Sequence, residues 1–473
     1  MSNAPPATSW LALASTSQVV PARAQMATTL GFHIILACYG IAFPTIVLMA
    51  EYIGLRRSDE VAMVLARRWS QALGVLVAVG AVTGTVLSFE MGLLWPGLMR
   101  EYGAVLGLPF GLEGIFFFLE AIFTGVYLYG WRRLPGWAHF WTGIPVAISG
   151  ICGAVAVMAA NSWMNQPGGF TLRAGRIVAV NTWEVIFNRA AVYETPHMIL
   201  SAYMVAGFGA ASVYAFGFLR GRTDRYHRLG FKIPFILAAV LTPVQIVVGD
   251  TAARAVATQQ PVKFAAMEYV ARTRRGATEY IGGIYLNGHV YFALRIPDLD
   301  SLLVGLSPNT KVTGWGSVAA ADRPQAVTLI HLSFDAMVGI ALVLLAAGAW
   351  ALVAWRRSHD LPRGRWFWWL AVASGPAAIV AMECGWIVTE VGRQPWVVYK
   401  LMTTSQAATT NQGIVASLSA VIVLYAALGV ATVVMLRVLA RHWRQGSRSD
   451  AESGVPYGPP PERQLEPVGE RPQ

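Results

Sequence analysis

The sequence is poor in charged residues and in cysteine, and each shortage excludes a class of protein. Asp, Glu, Lys and Arg make up only 13% of the 473 residues, about half of the share typical of soluble domains. The three cysteines form no CxxC pair and no Cys/His spacing typical of zinc sites, so neither a disulfide framework nor a zinc site is expected. Walker A, GxSxG, HExxH and CxxCH motifs are also missing, which leaves ATP hydrolysis and covalent haem attachment without support.

Apolar residues take the place of the missing charge. They make up 55% of the chain, and the mean hydropathy is +0.50. So much apolar surface exceeds what soluble cores can bury, so the lipid bilayer is expected to be the solvent for much of it. The net charge of +11 would suit a nucleic-acid-binding protein. The basic residues nevertheless lie in short clusters between apolar runs, which indicates orientation in a membrane and no nucleic-acid partner.

The apolar runs predict an all-α integral membrane protein built as a bundle of nine transmembrane helices. A spanning helix needs roughly 20 mostly apolar residues. Nine segments meet this requirement, at about residues 27–50, 70–95, 108–130, 140–160, 195–219, 231–250, 328–355, 366–389 and 412–438. Glu90 interrupts the second segment, and Glu113 and Glu120 interrupt the third. Carboxylates are therefore expected at membrane depth.

Positive charge alternates between the loops that join these segments. One set of loops contains 15 Arg and Lys residues, among them Arg56, Arg57, Arg132 and Arg133, whereas the short loops of the other set contain six. The positive-inside rule places the first set in the cytoplasm. With nine crossings, the N-terminus is then predicted outside and the C-terminus in the cytoplasm.

The chain divides into three predicted regions. Residues 1–25 form an N-terminal segment, residues 26–440 form the membrane domain, and residues 441–473 form a polar, Pro-rich tail predicted to be disordered and cytoplasmic. Within the membrane domain, residues 251–326 form an outer loop of about 75 residues. Loops of this length in a compact protein are usually functional or disordered. Because apolar residues, Tyr and Gly are spread through it, we expect an ordered, functional loop.

Ionisable residues inside the predicted helices are few, and such residues are costly in a membrane and usually functional. They are His33, Glu90, Glu113, Glu120, His197, His331, Asp335, Glu383 and Glu390. Glu113 and Glu120 are seven residues apart and share a helix face. Such a row suits a proton relay or a ligand in the bundle core, and a carboxylate paired with Arg or a backbone group is the structural alternative. A histidine at this depth either hydrogen-bonds a neighbouring helix or ligates haem iron, which also accepts Met.

Several motifs carry a resemblance to a known family. The segment GWIVTEVGRQPW (residues 385–396) resembles the signature of subunit I of the cytochrome bd family of quinol oxidases. Further matching segments, in order, are ARAQMATTLGFH (22–33), EGIFFFLEAIF (113–123), AANSWMNQP (159–167), PHMILSAYMVAGF (196–208) and QPVKFAAME (260–268). The resemblance runs from about residue 20 to residue 440, and the family's helix count agrees with the count made above.

The resemblance implies cofactors and their ligands. His197 and Met337 would be the axial ligands of a low-spin haem b. His33 and Glu390 would each hold one of two high-spin haems, one a haem b and the other a haem d or a third haem b. A five-coordinate haem leaves a position open for oxygen, whereas a His/Met haem only transfers electrons.

The resemblance also implies roles in catalysis. Lys263 and Glu268 would engage quinol in the outer loop, where Glu268 accepts a proton. Glu113 and Glu120 would carry protons to the oxygen site, with Glu113 beside the haem pair. The pair would also be packed by Trp386 and by Arg393, which would lie near propionate charge.

Two departures from the family pattern indicate a divergent branch with a short outer loop. Asp335 stands two residues before Met337, where the family typically has a basic or neutral residue. The interval between Glu113 and Glu120 is one residue shorter than the family's usual interval. One residue turns a side chain by about 100° on a helix.

The leading hypothesis is the haem-bearing subunit of a bd-type terminal oxidase in the bacterial cytoplasmic (inner) membrane. It would oxidise menaquinol or ubiquinol at the outer face, reduce oxygen to water and generate a proton gradient. The family implies a second subunit in at least a heterodimer, with a small single-helix subunit as a possible addition. Two alternatives stay open: a bd-like haem protein that passes quinol electrons to another acceptor, and a haem-free proton or ion transporter.

Overall fold

The computed structural model describes residues 18–173 and 176–446, and helices dominate this part of the chain. The helices are α1 (Val19–Arg57), α2 (Glu60–Leu94), α3 (Pro96–Gly130), α4 (Gly136–Asn165), α5 (Thr182–Ile186), α6 (Ala191–Leu219), α7 (Arg225–Gln259), α8 (Pro261–Met267), α9 (Leu299–Gly305), α10 (Val327–Ser358), α11 (Arg365–Gly392), α12 (Thr404–Ala407) and α13 (Ile414–Gly446). Apart from the short α5, α8, α9 and α12, all are long and apolar enough to cross a membrane. Within the described ranges, the predicted all-α bundle of nine membrane helices is confirmed.

The helices extend beyond the apolar runs that predicted them. Helix α2 begins at Glu60, ten residues before its predicted start, because Asp59 caps it by accepting hydrogen bonds from the amides of Val61 and Ala62 at 3.1 and 3.3 Å. Such a cap satisfies amides that have no partner within the helix. Helix α7 likewise continues to Gln259, so the first residues of the predicted outer loop are helical. Of the predicted terminal segments, residues 1–17 and 447–473 lie outside the described ranges.

Helix α1 lies at the centre of the bundle and contacts α2, α4, α6 and α13. Small residues allow the close approach. A Cβ atom added to Gly150 of α4 would lie 3.0 Å from the carbonyl oxygen of Gly40 in α1, and one added to Gly207 of α6 would lie 2.9 Å from the carbonyl oxygen of Pro234 in α7. Glycines at helix contacts are typical of membrane proteins, where backbones must approach closely to pack.

Short strands and helices occupy the connections on one side of the bundle. The strands are β1 (Phe170–Arg173), β2 (Arg176–Val180), β3 (Glu279–Ile281), β4 (Ile284–Leu286), β5 (His289–Tyr291), β6 (Leu294–Ile296), β7 (Trp396–Val398) and β8 (Met402–Thr403). They form four antiparallel pairs, β1–β2, β3–β6, β4–β5 and β7–β8. In the outer loop, Glu279 pairs with Ile296 and Ile284 pairs with Tyr291.

The outer loop has a small core of its own. Phe264, Tyr269 and Trp315 are buried in one apolar cluster with Ile330 of α10 and Val388 of α11. The loop is therefore packed against the ends of two membrane helices. This packing holds the polar side chains of the loop in fixed positions beside the bundle.

Candidate functional site

His33 lies on α1 with its ring turned toward α2. Its Nδ1 atom is 2.9 Å from the Thr83 hydroxyl, and that hydroxyl also lies 3.0 Å from the carbonyl oxygen of Gly80. In the arrangement where the threonine donates its one proton to this carbonyl, it accepts a hydrogen bond from Nδ1. The Nε2 atom of His33 then carries a lone pair. This is the tautomer that a metal-ligating histidine needs, with its other nitrogen donating to a fixed acceptor.

His197 lies on α6 and faces α7. Its Nδ1 atom is buried and has no hydrogen-bond partner among the residues described. Buried polar atoms are normally paired, so an unpaired ring nitrogen indicates a missing ligand or water. The neighbouring helix has Gly249 at this level, where an added Cβ atom would lie 3.3 Å from the His197 ring.

Met337 lies on α10 and points its sulfur at α11. A Cβ atom added to Gly385 would lie 3.1 Å from the Met337 sulfur, and one added to Gly84 would lie 3.0 Å from Cε1 of His33. His33, His197 and Met337 thus each face a glycine on a neighbouring helix. A glycine at these positions places no side chain against the donor residue. Imidazole nitrogen and thioether sulfur are the donors that haem iron takes. The residues present therefore fit haem, the cofactor that the resemblance implies.

Glu390 and Arg393 lie at the end of α11 and form an ion pair. Arg393 donates to Glu390 at 2.6 Å, and Asn161 of α4 donates to the other Glu390 oxygen at 3.1 Å. The Arg393 side chain is only 2% exposed, so it depends on this carboxylate for charge compensation. Two further contacts of 3.3 and 3.4 Å join Arg393 to Asn161 and Asn165. Trp386, one turn before Glu390, packs against the main apolar core.

Lys263 belongs to this polar group, whereas Glu268 does not. The Lys263 ammonium lies 3.4 Å from the carbonyl oxygen of Thr389 and is buried. Burial lowers the pKa of Lys263 to about 8, and the nearby Glu194 carboxylate opposes that shift. Glu194 in turn accepts a hydrogen bond of 2.9 Å from Asn165. The two residues assigned to quinol therefore have different polar partners, although both follow α7 within nine residues.

Glu268 faces two other acids of the outer loop. Glu268, Glu279 on β3 and Asp300 on α9 each offer a carboxylate oxygen within 4.8 Å of the others. One oxygen of each lacks a hydrogen-bond partner in the described part of the chain, and all three side chains are buried. Burial, together with the negative charges of Glu279 and Asp300, raises the pKa of Glu268 well above its usual value. Burial likewise raises the pKa of Asp300 to about 7.

These three carboxylates define an acid cluster (Glu268, Glu279 and Asp300) that can exchange protons near neutral pH. Groups this close cannot all be ionised without a counter-charge, because like charges raise one another's pKa. Oxygen donors at this spacing are also compatible with a divalent cation. Proton acceptance is the property that quinol oxidation requires of the outer loop.

Asp335, which the resemblance left without a role, anchors the outer loop. It accepts a hydrogen bond of 2.5 Å from the Gly282 amide and lies 3.2 Å from Nε2 of His331. The other His331 nitrogen lies 2.5 Å from the carbonyl oxygen of Met267. Both ring nitrogens of His331 face acceptors, so both must donate, and Asp335 balances the resulting charge. The acid at this position compensates a histidine and fixes the turn after β3.

Removing the Asp335 carboxylate should loosen the outer loop without removing haem. In an Asp335→Ala variant, His331 loses its counter-ion and the Gly282 amide loses its acceptor, and breaking a partly buried pair is costly. We expect KM for quinol to rise roughly ten-fold, about 1.4 kcal/mol, with unchanged haem absorbance. Steady-state oxygen uptake at varied quinol concentration measures this. An unchanged KM would show that Asp335 does not hold the loop.

The carboxylates predicted to form a row on α3 face α1. A Cβ atom added to Gly40 would lie 3.1 Å from a Glu120 oxygen. Glu113 lies two turns earlier on the same face. Glu383 of α11 approaches α1 at another level, where its oxygen would lie 3.5 Å from a Cβ atom on Gly31. Glu90 accepts hydrogen bonds from Gln25 and Thr29 of α1 at 2.8 and 3.0 Å. Glu90, Glu120 and Glu383 therefore all face the central helix.

Several polar residues of these groups were not singled out from the sequence. They are Asn161, Asn165, Glu194, Glu279 and Asp300. A signal existed for three of them. Asn161 and Asn165 are four residues apart in a matched motif, and Glu194 precedes His197 by three residues, so each pair shares a helix face. For Glu279 and Asp300 the sequence offers no periodicity, because they lie on a short strand and a short helix.

The comparisons with known proteins agree over nearly the whole chain. Residues 21–444 match the family model described as cytochrome bd terminal oxidase subunit I. A putative cytochrome bd menaquinol oxidase subunit I of Bacillus subtilis (strain 168) is 33% identical over 445 residues, covering 92% of this chain and 99% of the relative. The cytochrome bd ubiquinol oxidase subunit 1 of the same organism is 29% identical over 460 residues, covering 94% of this chain and 97% of the relative.

The fold agrees as well. The solved structure of bd oxidase from Geobacillus thermodenitrificans matches with a TM-score of 0.85 and 34% identity, covering 90% of this chain and 99% of that chain. The family match, residues 21–444, reaches all nine membrane helices of the described ranges. The chain therefore belongs to the subunit I family of cytochrome bd terminal oxidases.

Proposed function

We propose that this protein is the haem-bearing subunit of a terminal oxidase that oxidises quinol at the outer face and reduces oxygen to water. The observation that carries the proposal is that His33, His197 and Met337 each face a glycine on a neighbouring helix, in a chain that matches the family from residue 21 to residue 444. If these histidines only packed the core, His33 Nε2 would not need a lone pair and His197 Nδ1 would be expected to have a hydrogen-bond partner in the described part of the chain.

Each haem has its own ligands in this proposal. His197 and Met337 would hold a low-spin haem b, His33 would hold one high-spin haem, and Glu390 would hold the other. One high-spin haem is a haem b and the other is a haem d or a third haem b, which mass analysis of the extracted haems distinguishes. Bound haem supplies one-electron transfer at the low-spin position and oxygen reduction at the high-spin pair. Arg393 and Asn161 orient the Glu390 carboxylate, Arg393 compensates its charge, and Asn165 accepts a hydrogen bond from Arg393.

Quinol protons leave through the acid cluster. Glu268 accepts a proton from the quinol hydroxyl, and Glu279 and Asp300 share it because their carboxylates lie within 4.8 Å. Lys263, which the resemblance also assigns to quinol, fixes α8 against α11 and compensates Glu194. Glu113 and Glu120 bring protons from the opposite, cytoplasmic side. Charge is separated because release and uptake occur on opposite faces of the membrane.

The surroundings of the chain follow from the same proposal. The bundle exposes large apolar side chains such as Phe118, Val213 and Val433, which suit the lipid bilayer or a second membrane subunit. Two relatives are named as oxidase subunits, one for menaquinol and one for ubiquinol. We therefore place the protein in the bacterial inner membrane, with the N-terminus outside and the C-terminus in the cytoplasm. It acts with a second subunit in a heterodimer, and a small single-helix subunit is compatible with the exposed apolar faces.

The test uses the complex with its second subunit, purified and reconstituted into vesicles. The proposal predicts reduced-minus-oxidised haem bands, quinol-dependent oxygen uptake and release of protons on the outer side. Haem bands without oxygen uptake would instead identify a haem protein that serves another electron acceptor. A colourless protein would favour a proton or ion transporter.

A further inference from the structure

A second cluster of buried ionisable groups lies at the opposite end of the bundle. Glu51 of α1, Tyr127 of α3 and His139 of α4 are all at most 2% exposed. Tyr127 donates to one Glu51 oxygen at 2.5 Å, and His139 Nδ1 lies 2.6 Å from the other. The cluster lies within two turns of the basic ends of these helices, where Arg56, Arg57, Arg132 and Arg133 mark the cytoplasmic face of our proposed orientation.

The hydrogen bonds of this cluster fix the position of one mobile proton. His139 Nε2 lies 2.9 Å from the backbone carbonyl oxygen of Tyr127, and a carbonyl only accepts, so Nε2 carries a hydrogen. The contact between His139 Nδ1 and Glu51 then needs one further proton, held by the carboxyl or by the ring. The pair is neutral as a unit in either case. A neutral pair that shares a proton is compatible with burial in a membrane.

Tyr127 also continues the carboxylate row of α3. Glu113, Glu120 and Tyr127 follow one another at intervals of seven residues, about 10.5 Å per step along the helix axis. Thr124 lies between Glu120 and Tyr127 on the same face. Its hydroxyl oxygen is buried, and it has no hydrogen-bond partner within the described ranges. A buried hydroxyl in this state marks a place for a water molecule.

The geometry points to Glu51, His139 and Tyr127 as the cytoplasmic proton entry of this subunit, joined to Glu120 by a short chain of water molecules that passes Thr124. This inference rests on the proposed function and names the start of its proton route. The Tyr127 hydroxyl, which donates to Glu51 at rest, turns to give its proton to the water and takes the proton of the Glu51–His139 pair from the Glu51 carboxyl. The water chain passes a proton to Glu120, and the pair is refilled from the cytoplasmic face. The pair carries one negative charge until it is refilled, Glu120 must be ionised to accept the proton, and no bond to carbon changes.

Substitutions that remove single hydroxyl groups test the route without removing apolar volume. Tyr127→Phe and Thr124→Val should each slow oxygen turnover and proton uptake about ten-fold, since a positioned proton-transfer group contributes at least that much. Thr124→Ser keeps the hydroxyl and should restore the wild-type rate. Tyr214→Phe is the matched control. The Tyr214 hydroxyl is also buried, but it lies on α6 and accepts a hydrogen bond from Trp69 of α2, away from the proposed route.

The measurement follows proton uptake with a pH-sensitive dye when the fully reduced complex reacts with oxygen, in H₂O and in D₂O. We expect a larger solvent isotope effect in Tyr127→Phe and Thr124→Val, with unchanged haem bands and unchanged anaerobic haem reduction by quinol. A wild-type rate of proton uptake and a wild-type isotope effect in both variants would overturn the route. The hydrogen bond between Tyr127 and Glu51 would then have only a structural role. If Tyr127→Phe loses haem, the test rests on Thr124: slow proton uptake in Thr124→Val with wild-type uptake in Thr124→Ser supports the route, and equal uptake in both contradicts it. Absent haem reduction by quinol in the wild type would instead contradict the proposed function.

Discussion

Replacing His197 by alanine is expected to remove the low-spin haem band from the reduced-minus-oxidised spectrum. The imidazole has a buried nitrogen without a hydrogen-bond partner in residues 18–173 and 176–446, and it faces Gly249. Alanine offers iron no donor. Quinol-driven oxygen uptake should fall by roughly 100-fold or more, because loss of an axial ligand removes the haem through which electrons enter. The high-spin bands should persist, since His33 and Glu390 lie on α1 and α11.

The control for this prediction is His289→Ala. His289 lies on β5 of the outer loop and is exposed. Its replacement therefore removes a histidine without altering the packing of the membrane helices. Spectra and oxygen uptake should match the wild type. Survival of the low-spin band in His197→Ala would show that another residue ligates this haem and would remove His197 from the site.

Replacing Glu268 by glutamine is expected to abolish most quinol oxidation while all haem bands remain. Glutamine keeps the size of the side chain but cannot accept a proton, and general-base groups contribute about 100-fold or more. We therefore expect kcat to fall by roughly that factor. Stopped-flow reduction of the low-spin haem by quinol measures this step directly.

The wild-type rate should also depend on pH in a defined direction. A carboxyl accepts a proton only when ionised, and burial raises the pKa of Asp300 to about 7 and that of Glu268 well above its usual value. The ionised fraction of the cluster grows as pH rises. Quinol oxidation at limiting quinol should therefore increase through about pH 7, and Asp300→Asn should move this rise to lower pH because it removes a neighbouring negative charge.

Glu101→Gln provides the matched control for the acid cluster. Glu101 is an exposed glutamate near the start of α3, outside every polar group described above. Its replacement should leave both the rate and the pH profile unchanged. A Glu268→Gln variant that loses its haems would contradict a role in proton acceptance and would indicate a structural role in folding the loop.

The spacing of residues along single helices was readable from the sequence. The nine apolar runs predicted the nine membrane helices, and the seven-residue interval predicted the shared face of Glu113 and Glu120. Such patterns depend only on helix geometry. The motifs around His33, His197 and Glu390 then indicated the family, because their order and spacing repeat those of its members.

Contacts between helices were not readable in the same way. The apolar runs ended at about residue 50 and began again at about residue 140, so Glu51 and His139 fell just outside the predicted spans, although both lie inside helices. Asp335 appeared as a departure because its partners, His331 and Gly282, are set by the packing of the outer loop. Tertiary packing decides such partners, and periodicity carries no information about them.

The central claim is that electrons enter through a haem held between His197 and Met337. Near-infrared magnetic circular dichroism of the oxidised complex tests it most directly, because the low-spin ferric charge-transfer band reports the pair of axial ligands. We expect the band of His/Met ligation in the wild type, and its replacement in Met337→Leu by a signal without thioether ligation. A bis-histidine band in the wild type, or an unchanged band in Met337→Leu, would contradict the assignment.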